Sequence, residues 1–153
     1  MPTYATDNTT NTGGFRSFGD TGNSERAFGG VASGGAYFGA PASGAVAGWI
    51  AVAFSNGTGA ALTGFSVAFN GEQGRHGGNT RAQTMVLAYG YGASFGSVTG
   101  WAAPGGSFDF TSPVIGSTAA TVAGNSAGLV SGLGGSISSN WAAGDTLDRK
   151  SVV

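Results

Sequence analysis

The chain has 153 residues, enough for one domain with a core of its own, and a formal net charge of −1. Charged residues make up 8% of it, against roughly 25% in ordinary soluble domains, while hydrophobic residues reach 41%, aromatics 11%, and 31 glycines stand against 4 prolines. This excludes a solvated disordered chain and offers no basic patch for nucleic acid; the lack of cysteine excludes disulfides, thiolate zinc sites and cysteine nucleophiles.

Glycine disfavours helix by about 1 kcal/mol per position relative to alanine, so the pattern reads as short strands joined by glycine turns. Residues 1–13 are polar and expected to fray. Residues 14–34 carry Phe15, Phe18 and Phe28 between turn residues, as one or two short strands. "AGWIAVAFSN" (47–56) is a nearly continuous apolar strand. "NGTG" (56–59) is a turn, and "LTGFSVAFNG" (62–71) alternates, with Phe65, Val67 and Phe69 on one face. The two runs around a glycine turn predict a β-hairpin.

"RAQTMVLAYGY" (81–91) alternates as well, with Met85, Leu87, Tyr89 and Tyr91 sharing a face. "GSVTGWAA" (96–103) and "GSFDFTSP" (106–113) read as short strands. "TVAGNSAGLVSGLGGSIS" (121–138) reads as a loop and then a strand, and "NWAAGDTL" (140–147) as a turn opening a last strand. Strands at this spacing predict an all-β fold, a single-domain β-sandwich or jelly roll over residues 14–147. No run approaches the length of a membrane span, so membrane insertion is not expected. "MPTYATDNTT" has neither the basic nor the apolar region of a signal peptide; the chain is then cytosolic, or its natural start lies upstream.

The most polar stretch is "FNGEQGRHGGNTR" (69–81), with Glu72, Arg75, Arg81 and His76, the only histidine. A carboxylate and an imidazole suit general acid–base work, but their spacing in a glycine-rich connection matches no catalytic motif, and a hydrogen-bonded structural loop is the simpler reading. Glu72 with Arg75 or Arg81, and Arg26 in "TGNSERAFG", are expected to be polar anchors held by charge-assisted hydrogen bonds. His76 is expected to face solvent. It lacks an H-x-x-x-H partner, and Asp7, Asp20, Asp109 and Asp145 lack calcium-loop spacing, so no metal residue is assigned. A single structural Ca²⁺ held partly by backbone carbonyls would leave no signature and stays open. "GGVASGG" (29–35) lacks the lysine and helix of a P-loop.

Trp49, Trp101, Trp141, Tyr37, Tyr89 and Tyr91 could serve as glycan platforms, although aromatics in a small sandwich more often fill the core. Asn8-Thr9-Thr10 and Asn56-Gly57-Thr58 fit the N-glycosylation pattern, read as incidental.

Taken in order, S-x-R-A-x-G in "SFGDTGNSERAFGGVASG", N-x-T-G, G-E-Q-x-R-x-G-G, F-T-S-P and W-x-x-G-D-T-L give the span from about Gly13 to Leu147 a family likeness. It resembles the uncharacterised secreted bacterial β-domains of PEP-CTERM-type surface proteins, which also accompany extracellular endonuclease/exonuclease/phosphatase-type nucleases and lamin-tail-like modules. The resemblance implies an extracellular, non-catalytic module engaged in adhesion, contact with surface glycans, or presentation of neighbouring domains. Its alternative is an accessory domain of a secreted nuclease or hydrolase whose catalytic domain lies elsewhere. An enzyme in its own right would have only Glu72 and His76 to work with.

Two positions depart from the family pattern. Gly74 stands where an aromatic, usually Trp, follows G-E-Q, which implies weaker packing there. After Leu147 the family continues into a Trp-containing strand, an Asp/His/Gly-rich turn and a closing strand, whereas this chain has "DRKSVV" (148–153), which matches a translated sequencing adapter. Residues 148–153 are therefore expected to be non-native, and the sandwich to lack its C-terminal strand.

Overall fold

The computed structural model describes residues 3–4, 14–19, 24–31 and 49–152, with backbone alone at 3–4, 14, 49 and 148–152. Strands dominate them: β1 (Thr3–Tyr4), β2 (Gly14–Phe18), β3 (Ala27–Val31), β4 (Trp49–Ser55), β5 (Leu62–Glu72), β6 (Arg75–His76), β7 (Thr84–Gly92), β8 (Phe110–Thr111), β9 (Ala120–Thr121), β10 (Leu129–Trp141) and β11 (Thr146–Val152). The fold is all-β, with several antiparallel sheets. The chain divides into two compact units, one of residues 1–48, 71–83 and 111–130, the other of 49–70, 84–110 and 131–153.

In the first unit β2 pairs antiparallel with β3, and β1 lies parallel to β2. Phe15 and Phe28 stack with ring centroids 6.4 Å apart. Arg26, just before β3, donates from Nη2 to the Ser17 carbonyl at 2.6 Å and from Nε to Ser17 Oγ at 3.2 Å. The arginine thus anchors a backbone carbonyl at the loop end of the hairpin, a charge-assisted bond of the stronger kind. A second ladder joins β6 to β9 through Arg75–Thr121 and His76–Ala120.

The second unit has one sheet in the order β4-β11-β7-β8 and another of β10 and β5. The two share a core. Leu87 of β7, Ile137 of β10 and Phe108 are buried together, with Phe65, Val67, Phe69 and Tyr89 packed against them. The period-2 alternation of β5 therefore does what it predicts: Phe65, Val67 and Phe69 face inward, while Ser66, Ala68 and Asn70 are exposed. Phe65 meets Tyr89 edge-on at 5.3 Å and Trp141 at 6.3 Å, and Tyr91 lies 6.3 Å from Trp141. Such ring pairs add about 0.5–1.5 kcal/mol each beyond the area they bury.

β10 approaches β5 closely, with Ser66 Oγ and Ser136 Oγ 2.8 Å apart and Asn70 Oδ1 accepting from the Gly132 N–H at 3.3 Å. Gly134 sits at φ +115°, and a Cβ there would collide with the Val67 carbonyl oxygen. Only glycine satisfies both conditions, which accounts for one glycine of the run 132–135.

β7 is covered on both sides, with Leu87 at 1% and Ala88 at 6% exposure. The Ala88 side of the strand is closed by the segment after it. A Cβ at Gly90 would strike Val98 and the Gly100 carbonyl, and Tyr89 forms an isolated bridge with Ala102. Residues 96–103 thus form a 3-10 turn (Phe95–Ser97) and one bridge, not the expected strand. In 106–113 only Phe110–Thr111 is strand, because Gly105 and Gly106 at φ +69° and +58° start a second 3-10 turn.

The expected β4–β5 hairpin does not form. β4 pairs with β11, and β5 with β10, in different sheets. The six residues between them, 56–61, arch from one sheet to the other, because the Asn56 amide is drawn to the β10–β11 turn instead of closing a two-residue turn.

The last strand expected to open from the turn at 140–147 is present as a backbone element, β11. β11 runs between β4 and β7, with Leu147 opposite Phe54 and Tyr91, and Arg149 opposite Val52 and Tyr89. Asp148–Val152 of the segment expected to be non-native contribute to it. Its sequence alternation is poor, since positions 149 and 151, on the same face as buried Leu147, are Arg and Ser.

Candidate functional site

The stretch 69–81 begins as the last residues of β5, turns at Gln73–Gly74, and continues as β6 into a glycine loop. Its best-held side chain is Gln73, at 8% exposure. Gln73 Oε1 accepts from the Val114 N–H at 2.8 Å, while its Nε2 donates to the Val114 carbonyl at 2.8 Å and to the Arg75 carbonyl at 3.3 Å. The side-chain amide thus pairs with both backbone groups of one residue, as a neighbouring strand would. The Gln73 N–H donates to the Gly128 carbonyl at 2.9 Å, and the Val122 N–H to the Gly74 carbonyl at 2.9 Å. Gly128 has to be glycine, because a Cβ there would overlap the Gln73 carbonyl oxygen.

The charged residues take a different arrangement from the one expected. Glu72 does not pair with Arg75 or Arg81. Its carboxylate lies beside buried Gly124, where a Cβ would be 3.2 Å from Oε2, and it feels the charge of Glu25. Burial first, and the Glu25 charge second, push the Glu72 carboxyl above the usual carboxylate range. Glu25 Oε2 in turn accepts from Asn125 Nδ2 at 3.2 Å. Arg81 is exposed, and its backbone N–H donates to Asn79 Oδ1 at 2.9 Å in an Asx turn. Arg75 is half-buried on β6.

A raised pKa means that the folded chain holds this proton more tightly than the unfolded one. The stabilisation is complete below the ordinary carboxylate pKa and is lost as pH rises through the raised value. At neutral pH the ionised carboxylate therefore opposes folding. Glu72→Gln is expected to stabilise the chain at pH 7 by a few tenths of a kcal/mol, roughly the scale of solvent-screened charges, and to be neutral at pH 3. Urea denaturation at the two pH values checks this; equal effects at both would remove the charge argument.

His76 is not a solvent-facing loop residue. It lies on β6, half-buried, with its ring against Gly116 and a buried Nδ1 that has no hydrogen-bond partner. No hydrogen bond joins it to Glu72, whose carboxylate sits by Gly124. Among the described residues no three His, Asp or Glu side chains gather where they could hold a metal ion.

The aromatic candidates separate in the same way. Trp141 is buried at 7% exposure, and its indole N–H donates to the Asp145 carbonyl at 2.9 Å. Tyr91 donates to Ser139 Oγ at 2.8 Å, and Tyr89 meets Tyr91 edge-on at 6.1 Å. These three, with Phe65, form one ring cluster in which Trp141 is buried and the two tyrosines are half-buried. Trp101 is half-buried against Phe95, with centroids 5.3 Å apart. The Trp49 side chain and Tyr37 lie outside the described residues, as does Asn8-Thr9-Thr10.

The sequence presents Asn56 as a turn residue and an incidental glycosylation match, yet among the described residues of the second unit its side chain is heavily bonded. At 3% exposure, its Nδ2 donates to the carbonyls of Ala60, Trp141 and Ala142 at 2.8, 3.0 and 3.2 Å. Its Oδ1 accepts from the Thr58 N–H at 3.1 Å and from Thr58 Oγ1 at 2.7 Å. The folded chain has no free amide there for a glycan. The local N-G-T signal was visible in sequence; the distant carbonyls were not.

Comparison with known protein families, with curated proteins and with solved structures gives no match to this chain. Among the described residues no helix is long and apolar enough to cross a membrane.

Proposed function

We propose that the chain is a non-catalytic extracellular module of a secreted or surface-attached bacterial protein, one that contacts surface glycans or presents a neighbouring domain. The secreted context rests on the motif resemblance. The observation that carries the non-catalytic reading is the use to which the polar stretch is put. Its buried amide, Gln73, is spent on the backbone N–H and carbonyl of Val114, while the carboxylate of Glu72 and the imidazole of His76 have no hydrogen bond between them. General acid–base work needs the two groups within reach of one proton path. Glycan contact, in this reading, falls to Trp101.

The test is incubation of the full chain with chromogenic phosphodiester, carboxylic ester and glycoside substrates, beside Glu72→Gln and His76→Ala variants. The expected result is no turnover above buffer for any of the three proteins. Turnover by the parent chain that either substitution abolishes would overturn the reading.

A further inference from the structure

Among the described residues, β4 is an edge strand that carries none of the usual protections of an edge. It is the terminal strand of its sheet, with β11 on one side and, among the described residues, no strand on the other. Exposed edges in soluble proteins are blunted by lysine, proline, a bulge or a covering element. "WIAVAFS" has no charge and no proline, its pairing with β11 is continuous over all seven residues, and residues 27–71 contain no Asp, Glu, Lys, Arg or His at all. Both faces of the strand are open: Ala51 and Ala53 are exposed on one, Val52 at 44% and Phe54 at 48% on the other.

The order of residues within the strand fits one occupant. About Val52 the sequence is nearly self-complementary, with Ala51 and Ala53 flanking it and Ile50 and Phe54 beyond. We propose that β4 is a self-association edge: two copies of the chain pair β4 to β4, antiparallel, about a two-fold axis at Val52. In that register Val52 faces its own copy, Ala51 faces Ala53, and Ile50 faces Phe54. The five central residues, 50–54, then each meet one of matching character on the same face of the extended sheet, and only the end pair, Trp49 with Ser55, is unlike. Main-chain bonds supply the affinity and the Ile50–Phe54 pairs the register, in the manner of strand addition. The net charge of −1 offers little repulsion between copies. A single strand pair is a small interface, so the dimer is weak and concentration-dependent.

Sedimentation velocity of the full chain from about 1 µM to about 1 mM tests this with two double variants. Ala51→Lys with Ala53→Lys sets like charges opposite each other twice. Ala51→Lys with Ala53→Asp alters the same two exposed positions but sets Lys opposite Asp. The parent chain is expected to pass from monomer to dimer; the Lys/Lys variant is expected to lose about tenfold in association or more, while the Lys/Asp variant stays close to the parent. Circular dichroism confirms that both remain folded, and Val52→Lys, which sets like charges at the axis, gives a second disruptive variant. A parent that stays monomeric, open-ended polymers, or equal losses in both double variants would each overturn the proposal.

Discussion

Asn56→Ala is expected to destabilise the chain by about 3–4 kcal/mol, a large effect for one side chain. The side chain closes the arch between β4 and β5 through the Ala60 carbonyl and Thr58, and ties it to the β10–β11 turn through the carbonyls of Trp141 and Ala142. Backbone bonds run alongside, from the Asn56 N–H to the Asp145 carbonyl at 3.0 Å and from the Gly144 N–H to the Asn56 carbonyl at 2.9 Å. Alanine keeps those two bonds but removes all three amide donations, one of them to the Trp141 carbonyl in a fully buried setting. A stranded buried acceptor forfeits about 1–3 kcal/mol. Asn56→Asp keeps the shape yet turns a negative oxygen toward three carbonyls, and it is expected to be at least as damaging at neutral pH. Thr58→Ala, which removes one exposed partner, should lose no more than about 1 kcal/mol. Urea denaturation followed by tryptophan fluorescence gives the three values; an Asn56→Ala loss no larger than that of Thr58→Ala would refute the assignment.

Gln73→Leu is expected to destabilise by about 3 kcal/mol, for a related reason. Leucine fills similar space but leaves both the N–H and the carbonyl of Val114 without the partner that Gln73 provides. Amide exchange locates the damage: the Val114 N–H should lose its protection, whereas the Leu87 N–H, which donates to Asp109 Oδ1 at 3.0 Å, should keep it. Unchanged protection at Val114 would mean that Gln73 does not hold that segment.

Both of these anchors are neutral amides, and that is where the sequence was least legible. Alternation is a local property, so the inward set Phe65, Val67 and Phe69 and the strands around 47–56, 62–71 and 81–91 could be read directly. The all-β class followed from them. Pairing partners are not local. Asn-Gly at 56–57 looks like a hairpin turn, and only the carbonyls 85 and 86 residues away reveal that the amide is pulled to another sheet's turn. Likewise the acceptor and donor of Gln73 lie 41 residues off, at Val114. In a chain with 8% charged residues, attention goes to the rare charges. Arg26 repaid it by clamping Ser17. Glu72 did not: it sits near a second carboxylate, without Arg75 or Arg81 as a partner. Trp141, Tyr89 and Tyr91 were legible as large aromatics but not as members of one ring cluster, since strand alternation says which face a ring takes and not which neighbours cover it.

The central claim is that "FNGEQGRHGGNTR" is a connection held by its glutamine, with Glu72 and His76 contributing little to its hold. The most direct measurement sets the denaturation midpoint of the double variant Glu72→Gln/His76→Ala beside that of Gln73→Leu, both at pH 7 in the full chain. The double variant is predicted to lie within about 0.5 kcal/mol of the parent chain, the range of changes that break no buried bond, and Gln73→Leu well below it. A double variant that falls as far as Gln73→Leu, or a Gln73→Leu variant as stable as the parent, would contradict the account.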